Sequence, residues 1–192
     1  MSLVSGVSSD GKAIYYSKNN AETRLASLWS RDVASGTEKQ LYRTAVPAGI
    51  FPGPLSPDGQ RLVFMLNPFD GAGPKELMIL SVRDGSTKSL RKPTGTVTTS
   101  AWTPDARYVV YGQPKDDAGN RSNELWLVDT TGGQPRPVGI LHQGIQGVAV
   151  HPDGKHLAYV TMTPPNQQEW LLENFLPPAK PAAPKLLAPP KK

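Results

Sequence analysis

The chain has 192 residues, 38% of them hydrophobic, with 21 Lys and Arg against 16 Asp and Glu and no cysteine. That suits one compact unit and excludes disulfide scaffolds, zinc sites built on thiolates and cysteine nucleophiles, while leaving the redox compartment open. The formal charge of +5 falls to about +1 once Lys180, Lys185, Lys191 and Lys192 are set apart in their acid-free tail, so the body lacks the basic patch of a nucleic-acid binder.

The first residues, Met1-Ser2-Leu3-Val4-Ser5-Gly6, carry no basic segment followed by an apolar one, and no stretch reaches the roughly 18 apolar residues of a membrane helix. No export signal and no membrane insertion are expected of the chain as written, and the localisation stays unknown. Gly6-Val7-Ser8-Ser9-Asp10-Gly11-Lys12 approaches the phosphate-loop spacing, but Ala13 stands where Ser or Thr would hold magnesium, and a strand follows where that motif needs a helix.

Asp10-Gly11 opens a series. Ser8-Ser9-Asp10-Gly11, Ser56-Pro57-Asp58-Gly59, Thr103-Pro104-Asp105-Ala106 and His151-Pro152-Asp153-Gly154 are one motif, with Asp-to-Asp steps of 48, 47 and 48 residues. Such a period decides architecture before local propensity does. In a turn of this kind the hydroxyl residue opens, Pro pre-sets φ, Asp bonds nearby backbone and Gly takes positive φ. Asp10, Gly11, Asp58, Gly59, Asp105, Asp153 and Gly154 are therefore read as structural turn residues, and Ala106 is expected to be strained by on the order of 1 kcal/mol if its φ is positive.

Each turn leads into an apolar run: Ala13-Ile14-Tyr15-Tyr16, Leu62-Val63-Phe64-Met65-Leu66, Tyr108-Val109-Val110-Tyr111 and Leu157-Ala158-Tyr159-Val160. A second column, Leu28-Trp29, Leu77-Met78, Leu125-Trp126 and Glu169-Trp170, marks another strand in each unit and is assigned to packing. In chain order the second unit predicts strands over 50–55, 61–66, 76–82 and 87–91. The third predicts 97–102, 107–112, 124–129 and 136–140. Continuous apolar runs without alternation indicate strands covered on both faces, and four-stranded antiparallel sheets repeated radially form a propeller. The fold class is all-β, a β-propeller of four blades at about 1–44, 45–92, 93–140 and 141–176. The last is incomplete, because the chain turns into a Pro-, Ala- and Lys-rich tail over 177–192, expected to be disordered.

Ser-Pro-Asp-Gly followed by a polar residue and a short apolar strand, at this period, resembles the TolB-like, WD-repeat-like propeller repeat, which also occurs in prolyl oligopeptidase propellers and in bacterial multidomain proteins. The resemblance covers about 5–174, and the run Glu169-Trp170-Leu171-Leu172-Glu173-Asn174-Phe175-Leu176-Pro177 also looks like the ending of bacterial propeller proteins. It implies rings of six to eight blades and a periplasmic or extracytoplasmic setting. Four blades would then be part of a larger propeller or half of a dimeric ring, with self-association completing it.

No Gly-x-Ser-x-Gly elbow is present, and His142, His151 and His156 fit no familiar metal spacing. Catalytic residues, metal and cofactor are all expected to be absent, and the chain is expected not to be an enzyme. Loops between second and third strands are the candidate binding elements: Phe69 and Asp70 in 67–75, and Asp116, Asp117, Asn120 and Arg121 in 113–123. Asp116 and Asp117 lack EF-hand spacing for calcium, and Asn120-Arg121-Ser122 is a glycosylation acceptor only in a secretory pathway. Two functions remain open. One is a scaffolding module binding a protein or peptide, and the other is a regulatory or gating domain of a hydrolase or signalling enzyme.

Overall fold

The computed structural model describes residues 2–93, 95–117, 120–163, 166–173 and 175–176. They form four antiparallel sheets and no helix. The first blade is β1 (Ser2–Val7), β2 (Ala13–Asn19), β3 (Ala26–Asp32) and β4 (Glu38–Arg43), and the second is β5 (Ala48–Leu55), β6 (Arg61–Pro68), β7 (Glu76–Ser81) and β8 (Thr87–Arg91). The third is β9 (Thr99–Trp102), β10 (Tyr108–Asp117), β11 (Asn120–Asp129) and β12 (Arg136–Gln143). The fourth has three strands, β13 (Ile145–Val150), β14 (His156–Thr163) and β15 (Asn166–Glu173). Strands pair strictly in chain order within each sheet, and the inner strands β1, β5, β9 and β13 pack side by side in succession. The result is a four-bladed β-propeller whose last blade has three strands among the described residues.

The turn chemistry is visible atom by atom. The Ser8 hydroxyl donates to Asp10 at 2.6 Å and accepts from the Ala13 amide at 2.9 Å, while the Lys12 amide donates to Asp10 at 3.1 Å. Ser56 with Asp58 and Thr103 with Asp105 repeat the arrangement. Gly11, Gly59 and Gly154 have φ of 71°, 71° and 68°, and Ala106 has φ of 54°. Ala106 is the strained turn, yet it is buried against the second interface, where its methyl gains apolar contact.

The second and third blades bury both faces by a fixed division of labour along the second strand. The fourth residue after the turn Asp faces the preceding blade and the fifth the following one, so Leu62 packs with the first blade and Val63 with the third. Val109 and Leu157 likewise face backward, and Val110 faces forward. The sixth residue is aromatic in every blade and pairs across to the Trp or Met column: Tyr16 with Trp29, Phe64 with Met78, Tyr111 with Trp126 and Tyr159 with Trp170. Three apolar clusters join the four blades in sequence. Among the described residues, no such cluster joins the fourth blade to the first.

Two details of the sequence reading change. The expected loop at 113–123 is mostly strand, since β10 runs on to Asp117 and β11 restarts at Asn120 with every backbone step between Tyr108 and Asp117 paired. The third blade extends to Gln143, and Phe175 closes the fourth. It is buried in the third interface, where its carbonyl accepts from Arg136 at 3.0 Å and fastens the fourth blade to the third.

Candidate functional site

The inner strands surround a cleft of about 590 Å3 at the hub. All four blades contribute to it: Ser5, the stretch 51–55, the stretch 97–102 and the stretch 148–150. Its shape originates in a break of register in β5, where Pro52 pairs with Phe64 and Leu55 with Leu62, leaving Gly53-Pro54 as a bulge. Only glycine fits at 53, because a Cβ would lie 2.6 Å from the Ser100 hydroxyl and 2.8 Å from a Val63 methyl. The bulge carbonyls are taken by residues one repeat away on either side. Ser5 Oγ donates to the Gly53 carbonyl at 2.5 Å, and Trp102 Nε1 donates to the Pro54 carbonyl at 2.9 Å.

Pro52 and Pro54 offer no amide, which blunts the free edge of this inner strand. The remaining lining is apolar, from Leu55, Met65, Leu77, Val97 and Val148, or hydroxylic, from Thr98, Thr99 and Ser100. Phe51 stands on the cleft 47% exposed. Among the described residues, no Asp, Glu, His, Lys or Arg lines it. The cleft can therefore bind by apolar contact and neutral hydrogen bonds, but the lining holds no side chain suited to proton transfer near neutral pH.

The loop residues singled out from sequence are arranged differently. Asp70 accepts from Arg24 Nη1 at 2.7 Å, and that guanidinium lies 4.9 Å from the centre of the Phe69 ring. The Phe69 amide donates to the Pro47 carbonyl at 3.0 Å within the second blade, and the Ala48 amide donates to the Arg24 carbonyl at 3.0 Å, so Arg24 latches the second blade onto the first. Asp116, Asp117, Asn120 and Arg121 lie at the paired ends of β10 and β11, Asp116 opposite Arg121 and Asp117 opposite Asn120. The cleft residues escaped the sequence reading, although the Pro52-Gly53-Pro54 run inside a strand window was a legible sign of a bulge.

The fourth turn departs from the other three. His151 replaces the hydroxyl residue, and its Nδ1 lies 3.1 Å from Asp153 Oδ1 and 3.2 Å from the Asp153 amide. His156 Nδ1 lies 2.5 Å from Asp153 Oδ2, and its Nε2 lies 3.2 Å from Glu173 Oε1. The Asp153 carboxyl is held well below the usual range, chiefly by the Lys155 amide and then by His156, and its hydrogen bond to Asp153 holds His156 above the ordinary histidine value. His142 is elsewhere, its ring 6.2 Å from that of Trp170.

No protein-family model matches the chain, and no curated protein matches it in sequence. Solved structures match the fold. TolB from Acinetobacter baumannii superposes with a TM-score of 0.68 at 20% identity, over 91% of this chain and 41% of that one. The β-propeller domain of the Trilobed protease from Pyrococcus furiosus, described as having an open velcro topology, gives 0.65 at 12% identity over 90% and 55%. A prolyl endopeptidase structure gives 0.62 at 18% identity over 89% and 27%. The chain thus spans from about a quarter to just over half of these proteins. At such identities the likeness is one of fold, and the fold is a TolB-like β-propeller.

Proposed function

We propose that this chain is a non-catalytic binding or scaffolding module whose hub cleft holds a segment of a protein or peptide partner. The observation that carries the reading is the cleft lining, which joins all four blades and holds apolar, hydroxyl and main-chain groups without one titratable side chain. Likeness in fold to TolB supports a bacterial protein working in the periplasm, and the WD-repeat-like turns agree with an interaction platform. The first blade turns an aromatic face outward, and we read it as the surface on which further blades, or a second copy, complete the ring.

The test is selection of peptides from a displayed random library, followed by titration against two variants. Phe51→Glu places a charge on the cleft, and Ala149→Trp fills it from an exposed position. Selected peptides should lose at least about tenfold in affinity, roughly 1.4 kcal/mol, with unchanged melting. Retained binding in both variants would remove the cleft from the account.

A second reading, a gating propeller of a larger hydrolase or signalling enzyme, is favoured by the peptidase propellers among the matched structures. It predicts that the same two variants change the size of substrate cleaved by a covalently linked hydrolase domain, with no retention of peptide by this chain alone.

A further inference from the structure

The turn that opens the fourth blade has exchanged the chemistry of the other three. Where Ser8, Ser56 and Thr103 supply a hydroxyl that donates to the turn carboxylate, the fourth repeat has His151. Where the following strand begins with Ala13, Arg61 and Tyr108, it has His156. The exchange brings two imidazole Nδ1 atoms onto the two oxygens of one carboxylate, with the three ligand atoms all within 4.8 Å of one another.

Zinc bonds to imidazole nitrogen and carboxylate oxygen at about 2.0–2.2 Å, which spaces tetrahedral ligands about 3.3 Å apart. The 3.1 Å from Asp153 to His151 is already near that spacing, and the 2.5 Å to His156 would open to it by a small side-chain rotation as the ion replaces the shared proton. A second feature is independent of this cluster. The far nitrogen of His156, Nε2, faces Glu173 on β15, which sits opposite His156 in the strand register. A metal-binding histidine characteristically gives its other N–H to such a carboxylate, which fixes the ring and strengthens the ligand. The side chains of Asp153 and His156 are each about one-third exposed, open enough for an ion to enter and for water to fill the remaining coordination.

We propose that His151, Asp153 and His156 bind a borderline-soft divalent cation of the Zn2+ type, with Glu173 as the positioning residue behind His156. Such an ion would clamp the turn to the first residue of β14. It would stabilise the fourth blade at the connection between β13 and β14.

The experiment is calorimetric titration of chelator-treated protein with ZnCl2, paired with thermal melts. Wild type should bind one ion, melt higher when loaded and release protons on binding, since the ligand nitrogens must be deprotonated. His151→Gln and His156→Gln should each weaken binding by at least tenfold, and Glu173→Gln by about 10- to 100-fold while leaving the stoichiometry at one. His142→Gln should bind as wild type does. Metal-free melts of each variant establish that it is folded. Absence of binding in wild type, or equal loss in the His142 variant, would overturn the site.

Discussion

The second and third blades meet through a sealed interface, whereas the first blade turns the equivalent surface to solvent. At the sealed interface Val63, Met65, Leu77 and Ile79 interdigitate with Trp102, Val109, Tyr111 and Val128. Arg61 closes its rim, with Nη2 donating to the Ala106 carbonyl at 2.8 Å and the guanidinium 5.1 Å from the centre of the Trp102 ring. The open surface has the same columns, Ile14, Tyr16 and Trp29, with Val4 of the inner strand 73% exposed beside them. Lys18 lies 4.4 Å over the Trp29 ring and pairs with Glu38 at 2.6 Å, and Tyr16 donates to the same carboxylate. The backward-facing pair that packs into an interface in the second blade, Phe64 with Met78, and in the third, Tyr111 with Trp126, is thus capped by a salt bridge in the first, as Tyr16 with Trp29. The repeat specifies an interface whether or not a blade is there to fill it, and the charged cap keeps the unfilled one compatible with water.

The sharpest way to break this comparison is to truncate one column in two places. Phe64→Ala, fully buried between the first and second blades, should cost about 3–5 kcal/mol in denaturant unfolding. Tyr16→Ala, at the same repeat position, should cost less than about 1 kcal/mol, because its ring is only partly buried. Equal costs would mean that the first-blade face is covered in solution, and light scattering would then show a dimer.

The turn aspartates come next. Burial works against the Asp58 carboxylate, but hydrogen bonds from Ser56, Gln60 and Arg61 outweigh it and hold its pKa low. Asp58→Ala should lower stability by about 1–2 kcal/mol, read from the melting temperature, and leave peptide affinity unchanged. A selective loss of binding without a change in melting would give this aspartate a functional role instead.

Smaller effects distinguish the glycines from Ala106. Gly59→Ala should cost about 1 kcal/mol, since φ of 71° strains any side chain and no apolar contact repays it there. Ala106→Gly should change unfolding free energy by under about 0.5 kcal/mol, because relief of strain offsets the loss of a buried methyl.

The smallest effect is a pH dependence in metal-free protein. The stabilisation from Asp153 is complete above the ordinary aspartate value of 3.8 and is lost as pH falls through its lowered one. That from His156 is complete below the ordinary histidine value of 6.5 and is lost as pH rises through its raised one. Melting temperature should therefore be highest between those values and decline as pH rises past the ordinary histidine value, and His156→Gln should flatten the decline. All the groups are solvent-accessible, so the shift should be slight and salt-dependent.

The blades were legible because their determinants are local and repeated. The Asp columns, the apolar runs and the Trp and Met column announce turns, strands and faces within one 48-residue unit. The strained alanine at 106 was foreseeable for the same reason. The cleft was not, because it needs Ser5, Gly53, Ser100 and Ala149 to converge from four repeats, and none carries a distinctive side chain. The grouping of His151, His156 and Glu173 was hidden likewise, since Glu173 reaches His156 only through the pairing of β14 with β15. The loop residues Phe69 and Asp70 looked free in sequence because their partner, Arg24, lies in another blade.

The most direct test of the central claim is amide hydrogen exchange of the protein with and without a saturating selected peptide. Protection concentrated at 51–55 and 97–102, with no change at 67–75 or 113–123, is the predicted result. Protection confined to those two outer segments, with the inner strands exchanging as in the free protein, would contradict the assignment of the hub cleft as the binding site.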